Sequence, residues 1–365
     1  MIGFHRPIAG PSRATRSGGL PEKQSRPEAV QTMTEATDKM PTRTTSTVHY
    51  GRLFERIALL VVWLALIALF GTMMPQSFLS WGNFAILFAS YAPAALLALA
   101  IIVPLTAGDY DLSVGATLTL SSCIIGVLNV WHQMPIGLVL PIALGAGLLV
   151  GLVNALFIIF FRIPSLVVTL GTTSLMTGIV QWMTDSTTIG GIDDALVAAV
   201  VGGRLAGVPY AFYYALIAGI AMWYVFDYTP LGRRLLFVGR GREVARLNGI
   251  AVDRVRLGAL LTSGALAAGA GALYAGVLGS ADPYSGLNFL LPAFAAAFLG
   301  ATTILPGRFN AWGAIVAVYF LATGITGLTM LGIPLWVTNV FNGGALILAV
   351  TISQLTRGRE ATDIG

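Results

Sequence analysis

From Arg56 onward, long apolar runs alternate with short polar gaps. Crossing bilayer hydrocarbon as a helix takes roughly 20 apolar residues. Runs of about that length fall at 56–74, 83–105, 114–130, 136–160, 165–183, 209–228, 256–278, 287–304, 309–328 and 336–355. Lipid offers the backbone no hydrogen-bond partner, so such runs close their own bonds as helices. The expected fold is all-α: a polytopic membrane helix bundle of about ten transmembrane helices. Pro93, Pro104, Pro141 and Pro292 lie inside the runs, where neighbouring helices can satisfy the carbonyls they free.

The polar positions supply the rest of the plan. Residues 1–52 read as a disordered, basic, cytoplasmic N-terminal tail rich in Arg, Pro, Ser and Thr, within which Met33 and Met40 are alternative starts. The tail lacks the apolar stretch of a cleaved signal peptide. Residues 53–356 form the transmembrane domain, with an inside loop at 229–256, and 357–365 form a cytoplasmic tail. Arginines between runs collect on one side: Arg162, Arg233, Arg234, Arg240, Arg242, Arg246, Arg254, Arg256, Arg308, Arg357 and Arg359, against Arg204 alone on the other. Cytoplasmic loops carry this excess, so both termini are expected inside and the number of spans even. The longest outside loop, 184–208, carries Asp185, Asp193 and Asp194. Trp81, Trp131, Trp182 and Trp336 fall near outside boundaries, where indole rings favour the headgroup layer.

Composition narrows the class. Hydrophobic residues make up 56% of the chain and charged residues 10%, against about 25% charged in a soluble domain. Mean hydropathy is +0.80. The net charge of +5 would suggest nucleic acid in a soluble protein, but here it sits in the tail and the inside loops, so no nucleic-acid partner is expected. Cys123, the single cysteine, lies within a run, and His5, His49 and His132 are scattered, so neither a disulfide nor a metal site is expected.

Candidate chemistry is defined first by what is missing. Lys23 and Lys39 are the only lysines and precede the first run. A phosphate-binding GxxxxGK[ST] loop is therefore absent, as are HExxH and GxSxG motifs. The chain is not expected to be an enzyme or to bind a cofactor, and energy from ATP would come from another polypeptide.

The inside loop is the richest segment. Gly239 and Gly241 are expected to break the chain, followed by a short helix from Arg242 to about Asn248 that stops at Gly249. Glu243 lies in the first turn, where a carboxylate suits the helix dipole, and Val244 and Leu247 share a face. An apolar face amid arginines fits docking to a partner protein; it fits equally a basic loop that meets only lipid headgroups. Asp109 and Asp111 lie between the second and third runs, where carboxylates should face water, a cavity or a helix end. Capping of the next helix is favoured for Asp111, and a wall of a substrate path is the alternative. Gly147 and Gly151 form a GxxxG pair, and Gly264 to Ala272 is almost wholly small; both suit close helix packing. A short echo links Gly151-Leu152 and Ile163–Val167 to Gly327-Leu328 and Ile333–Val337. Because the two lie on opposite sides of the expected topology, it suggests an inverted repeat of spans 2–5 and 7–10.

These residues carry a resemblance. Gly108-Asp109-Tyr110-Asp111-Leu112-Ser113-Val114-Gly115, Pro164 to Thr169-Leu170-Gly171, Thr229 to Gly232-Arg233 and Gly239 to Gly249-Ile250 together resemble the permease subunits of bacterial ABC importers of the ribose/xylose/galactose type, over roughly residues 55–355. Tyr110 replaces the family's isoleucine, and Leu299 to Phe309 departs from its usual glycine-rich turn. The resemblance implies a subunit of the bacterial inner membrane that moves a monosaccharide or related polyol by alternating access. Its partners would be an ATP-binding cassette subunit, an extracytoplasmic substrate-binding protein, a second permease copy and the surrounding membrane lipids. Gly239, Arg242, Glu243, Val244, Ala245, Arg246, Leu247, Gly249 and Ile250 would couple to the ATPase. Asp109, Asp111, Ser113 and Thr169 would lie near the translocation path. Permeases of the same superfamily for branched-chain amino acids or nucleosides, and an ion-coupled secondary transporter, are the rival readings. The span centres hold almost no ionisable residues, which disfavours ion coupling.

Overall fold

The computed structural model describes residues 47–362 apart from Leu335, with side chains described from 57 to 351. Most of the N-terminal tail, His5 and the last residues of the C-terminal tail therefore lie outside the described residues. Each apolar run falls on helix. In chain order these are α1 (Thr47–Met73), α2 (Trp81–Ser90), α3 (Ala92–Thr106), α4 (Val114–Gly126), α5 (Ile136–Ala155), α6 (Ser165–Met183), α7 (Asp194–Val197), α8 (Tyr210–Tyr228), α9 (Pro230–Arg240), α10 (Arg242–Leu247), α11 (Val252–Leu278), α12 (Ser285–Gly300), α13 (Ala311–Met330) and α14 (Trp336–Thr362). Single π-helical turns, Val127–Trp131 and Leu156–Phe160, extend α4 and α5.

Among the described residues, six helices are long and apolar enough to cross a membrane by themselves. Helices α2 and α3 together make a seventh candidate, bent by 42° at Tyr91. Pro93 accounts for the bend, since it cannot donate to the preceding turn and its ring crowds that turn's carbonyl. Ile57–Met73, α12 and Trp336–Thr351 are shorter apolar helices.

Helix α3 is the axle of the bundle. It is apolar around its whole circumference and every residue from Ala92 to Thr106 is buried, as expected for a helix with no face left to solvent. Helices α11, α12, α13 and α8 pack around it. Two small-residue features meet here: the Gly147/Gly151 face of α5 lies against the small run of α11. A Cβ on Gly151 would sit 2.5 Å from the Leu260 carbonyl oxygen, and one on Gly264 would collide with the Gly147 carbonyl.

Several expectations need amending. The run at 287–304 overshoots: α12 ends at Gly300, and the chain turns with Ile304 at φ 62°. Asn310 closes that turn by donating Nδ2 to the carbonyls of Gly300, Thr303 and Arg308 at 3.0, 3.1 and 3.2 Å, while its Oδ1 accepts from Gly313 N at 2.6 Å. The 184–208 loop is folded. It carries β1 (Ile189–Gly190), α7 and a hairpin of β2 (Arg204–Leu205) and β3 (Val208–Pro209). Strand β1 pairs antiparallel with β4 (Ser280–Ala281) after α11. An all-helical reading misses these strands because each is only two residues long, and the β1–β4 pairing joins distant segments. Finally, α1 and α14 run into the segments assigned to the two tails.

Candidate functional site

The loop between α3 and α4 and the short helix α10 form one polar cluster. Helix α9 begins at Pro230 behind Thr229, whose Oγ1 lies 3.5 Å from Gly232 N. Gly239 does not break the chain as expected; it lies inside α9. Any side chain there would strike the Thr106 carbonyl at the end of α3, so the glycine permits two backbones to touch. Gly241, in extended backbone, makes the break and starts α10. Gly249 then turns the chain with φ 75°, the left-handed stop that glycine adopts without a Cβ clash.

Helix α10 presents two faces. Ala245 is buried against the bundle, whereas Val244 and Leu247 are 59% and 88% exposed. Glu243 and Arg246 are also exposed, and Arg246 pairs with Asp253 at 3.2 Å. Ile250 packs partly buried against the core, its N–H donating to the Ala245 carbonyl at 3.0 Å.

Asp109 ties this helix to the bundle. Its carboxylate is 2% exposed and takes a two-pronged contact from Arg256 of α11, Nε to Oδ2 at 2.7 Å and Nη2 to Oδ1 at 2.8 Å. Arg242 of α10 adds Nη2 to Oδ1 at 2.9 Å and also donates to the Gly108 carbonyl at 2.9 Å. A fork-to-carboxylate pair supplies geometry as well as charge. The Asp109 carboxylate thus joins the end of α3, the start of α11 and helix α10.

Asp111 heads a second chain. Its Oδ1 accepts from Ser113 N at 3.0 Å and Ser113 Oγ at 2.6 Å, and its Oδ2 from Ser263 Oγ of α11 at 2.8 Å. Asn154 Nδ2 of α5 donates to Ser113 Oγ at 2.8 Å, and Thr172 Oγ1 of α6 donates to Asn154 Oδ1 at 2.7 Å. The capping expected of Asp111 is displaced by one residue. It binds the amide of Ser113, which precedes α4, so it shapes the turn entering the helix. Burial pushes the Asp111 carboxyl above the usual carboxylate range, with the nearby Asp109 charge acting the same way, while the Ser113 and Ser263 hydrogen bonds pull it back.

The same loop is stitched to α6. Tyr110 N donates to Ser165 Oγ at 3.0 Å, Thr169 Oγ1 donates to the Tyr110 carbonyl at 3.2 Å, and Thr173 Oγ1 donates to the Leu112 carbonyl at 3.1 Å. The four residues expected near a translocation path therefore lie together, all buried, at the end of the bundle that carries α10. Sequence reasoning did not single out Arg256, Ser263, Asn154 or Thr172 for this cluster. The available signal was a polar side chain deep in an apolar run, which must find a partner. Nothing here forms a nucleophile–base pair, and among the described residues no group of His, Cys, Asp or Glu could hold a metal ion. The arrangement can bind and transmit displacement.

A family described as "Branched-chain amino acid transport system / permease component" matches residues 83–350. The chain is 32% identical to the autoinducer 2 import system permease protein LsrC of Enterobacter sp. (strain 638), over 83% of this chain and 90% of that one. It is 27% identical to the ribose import permease protein RbsC of Haemophilus influenzae, over 84% and 95% of the two chains. It is 24% identical to the D-allose transport system permease protein AlsC of Escherichia coli K12, over 88% and 96%. No solved structure matches it.

Proposed function

Taking as premise that this chain belongs to the transport-system permease family matched over residues 83–350, we infer how it works as the permease component of an ABC importer of the monosaccharide type. It is a multi-pass membrane protein and not an enzyme; ATP binding belongs to a partner. We place it in the bacterial inner membrane, with ten spans counting the bent α2–α3 pair and the three shorter apolar helices, and with both termini inside. Two copies form the translocating unit, an ATPase docks beneath each, and a binding protein delivers substrate from outside.

The coupling helix carries this reading. An importer powered from outside its own chain needs an exposed handle that is rigidly joined to the bundle. Val244 and Leu247 are the exposed apolar contacts on α10, and the Arg242–Asp109–Arg256 cluster is the joint. When the ATPases close, α10 moves and drags the α3–α4 loop and α11 with it, a rigid-body step that switches access.

Packing supports the inverted repeat. Helix α4 packs on α5 and α6 as α12 does on α13 and α14, and α11 packs on α4 and α5 as α3 does on α12 and α13. Where α4 meets α12, Gly115 and Gly286 face each other so closely that a Cβ on Gly115 would sit 2.7 Å from the Gly286 carbonyl oxygen.

The substrate we propose is a monosaccharide or related polyol, in line with the ribose and D-allose permeases among its relatives. The family's name makes branched-chain amino acids the second reading. Competition by ribose, allose and leucine for the cognate binding protein separates the two. The coupling assignment has its own test. Leu247→Asp should insert and orient normally yet lose co-purification with the ATPase and lose ATP-driven uptake; full uptake by this variant removes α10 as the coupling element.

A further inference from the structure

At the end of the bundle that carries α10, a cavity of about 1400 Å³ opens between that helix, the end of α5, the start of α6 and the start of α11. Its lining is of two kinds. Five arginines border it: Arg162, Arg242, Arg246, Arg254 and Arg256. Asp109 engages Arg242 and Arg256, and Asp253 engages Arg246. Among the described residues, Arg162 and Arg254 have no ion-pair partner, and both are exposed. Glu243 is the one further carboxylate on the lining, so positive charge is in surplus. The rest of the lining is apolar. Leu152, Leu156 and Phe160 of α5 and Leu166 of α6 border the space and are 48%, 51%, 75% and 50% exposed. From Leu152 to Phe160, at about 1.5 Å per residue, the apolar strip runs roughly 12 Å, most of one leaflet's share of a hydrocarbon core of about 30 Å. Arg162 follows that strip by two residues, so the apolar lining runs directly into the cationic one.

The backbone is irregular at this junction. Leu156–Phe160 forms a π-helical turn, and Arg162 adopts φ 57°. A helix stop in the left-handed conformation is ordinarily a glycine. An arginine held there accepts backbone strain, which persists where a site makes use of it.

These features define the occupant. Unpaired guanidinium groups call for an oxyanion, and phosphate oxygens match their fork. Free phosphate and a phospholipid headgroup share that chemistry. The apolar strip decides between them, since free phosphate leaves it bare and an acyl chain covers it. The volume agrees, because it exceeds the roughly 300–1,000 Å³ of compact-ligand sites. Basic pockets between membrane helices attract anionic headgroups. We propose that this cavity holds one anionic phospholipid, its phosphate on Arg162 and Arg254 and an acyl chain along Leu156 and Leu152. Only the membrane location of the chain is needed for this, so its failure leaves the importer reading standing.

The test titrates the full-length permease, delipidated in neutral detergent, by native mass spectrometry. Phosphatidylglycerol should bind as one tight lipid, and phosphatidylcholine with the same acyl chains should bind far more weakly. Arg162→Ala should weaken phosphatidylglycerol about fivefold, and adding Arg254→Ala about thirtyfold in all, the weight of one cationic side chain each at a lipid surface. Arg233→Ala with Arg234→Ala removes two exposed arginines of α9 that do not line the cavity, and should leave the tight lipid in place. The headgroup comparison uses the unaltered chain, so it stands even if a variant misfolds. Equal affinity for the two lipids overturns the site. Equal weakening by the α9 pair reduces it to general attraction by a basic surface and overturns it as well. Displacement by millimolar inorganic phosphate assigns the arginines to a free anion and removes the lipid. Loss of the lipid when the ATPase subunit is added assigns the cavity to that protein and likewise overturns the proposal.

Discussion

Asp109 is held by two guanidinium groups that differ in burial. The Arg256 side chain is 10% exposed and that of Arg242 is 40% exposed. Removing the shared anion strands Arg256 as an unpaired buried charge, so Asp109→Asn should cost about 3–5 kcal/mol, read by thermal unfolding in detergent. Arg242→Ala leaves the inner pair intact and should change stability by no more than about 1 kcal/mol. It nonetheless cuts the joint to α10, so ATP hydrolysis by the assembled complex should continue while uptake falls. Equal loss of stability in the two variants would contradict this division. Asp111 carries a pH signature. Its folded carboxyl is raised above its unfolded value of about 3.9, so its contribution to stability is whole below that pH and is lost as the pH climbs toward the raised value. The difference in melting temperature between the wild type and Asp111→Asn should therefore shift against the wild type as pH rises through that window.

Helix packing turns on glycines whose roles differ within one element. Gly264 of α11 abuts the Gly147 backbone, whereas a Cβ on Gly258, earlier in the same helix, would meet nothing within 4 Å. Gly264→Val should force α5 and α11 apart and cost about 1–3 kcal/mol or more, and Gly258→Val should be near neutral. Comparison of their heat-induced aggregation in detergent checks the pair; parity between them would mean that α5 and α11 do not meet here. The sequence already marked both small-residue stretches as packing faces. Only the structure made them partners, because composition records that a face is small without recording what lies against it. Helix α10 was more legible: its start near Arg242 and its stop at Gly249 follow from local backbone preferences. Gly239 misled, since a glycine kept for a contact across the fold looks the same in sequence as one kept for a turn.

At the scale of the whole molecule, the arginine bias and the proposed docking role of α10 predict a sidedness that can be measured. In intact spheroplasts a membrane-impermeant thiol reagent should label Asp194→Cys in the folded 184–208 segment, which we propose faces outside. Leu247→Cys should label only after permeabilisation. The reverse pattern would invert the topology and remove α10 from the reach of any cytosolic ATPase. The bent α2–α3 pair belongs to this scale as well. It read as one uninterrupted run, yet the chain bends by 42° beside Pro93.

By itself, the sequence determined that the chain lives in lipid, where its helices lie and which motifs deserve attention, because hydropathy, backbone hydrogen bonding and glycine or proline geometry act within a few residues. It left undecided which polar groups meet. Asp109 and Arg256 are 147 positions apart, and Asp111 and Ser263 are 152 apart, so no local rule connects them. Nor could it reveal which helices close around α3, since α8, α11, α12 and α13 come from separate parts of the chain. Pairing and burial are properties of the packed bundle, fixed only when distant segments exclude lipid and water from one another.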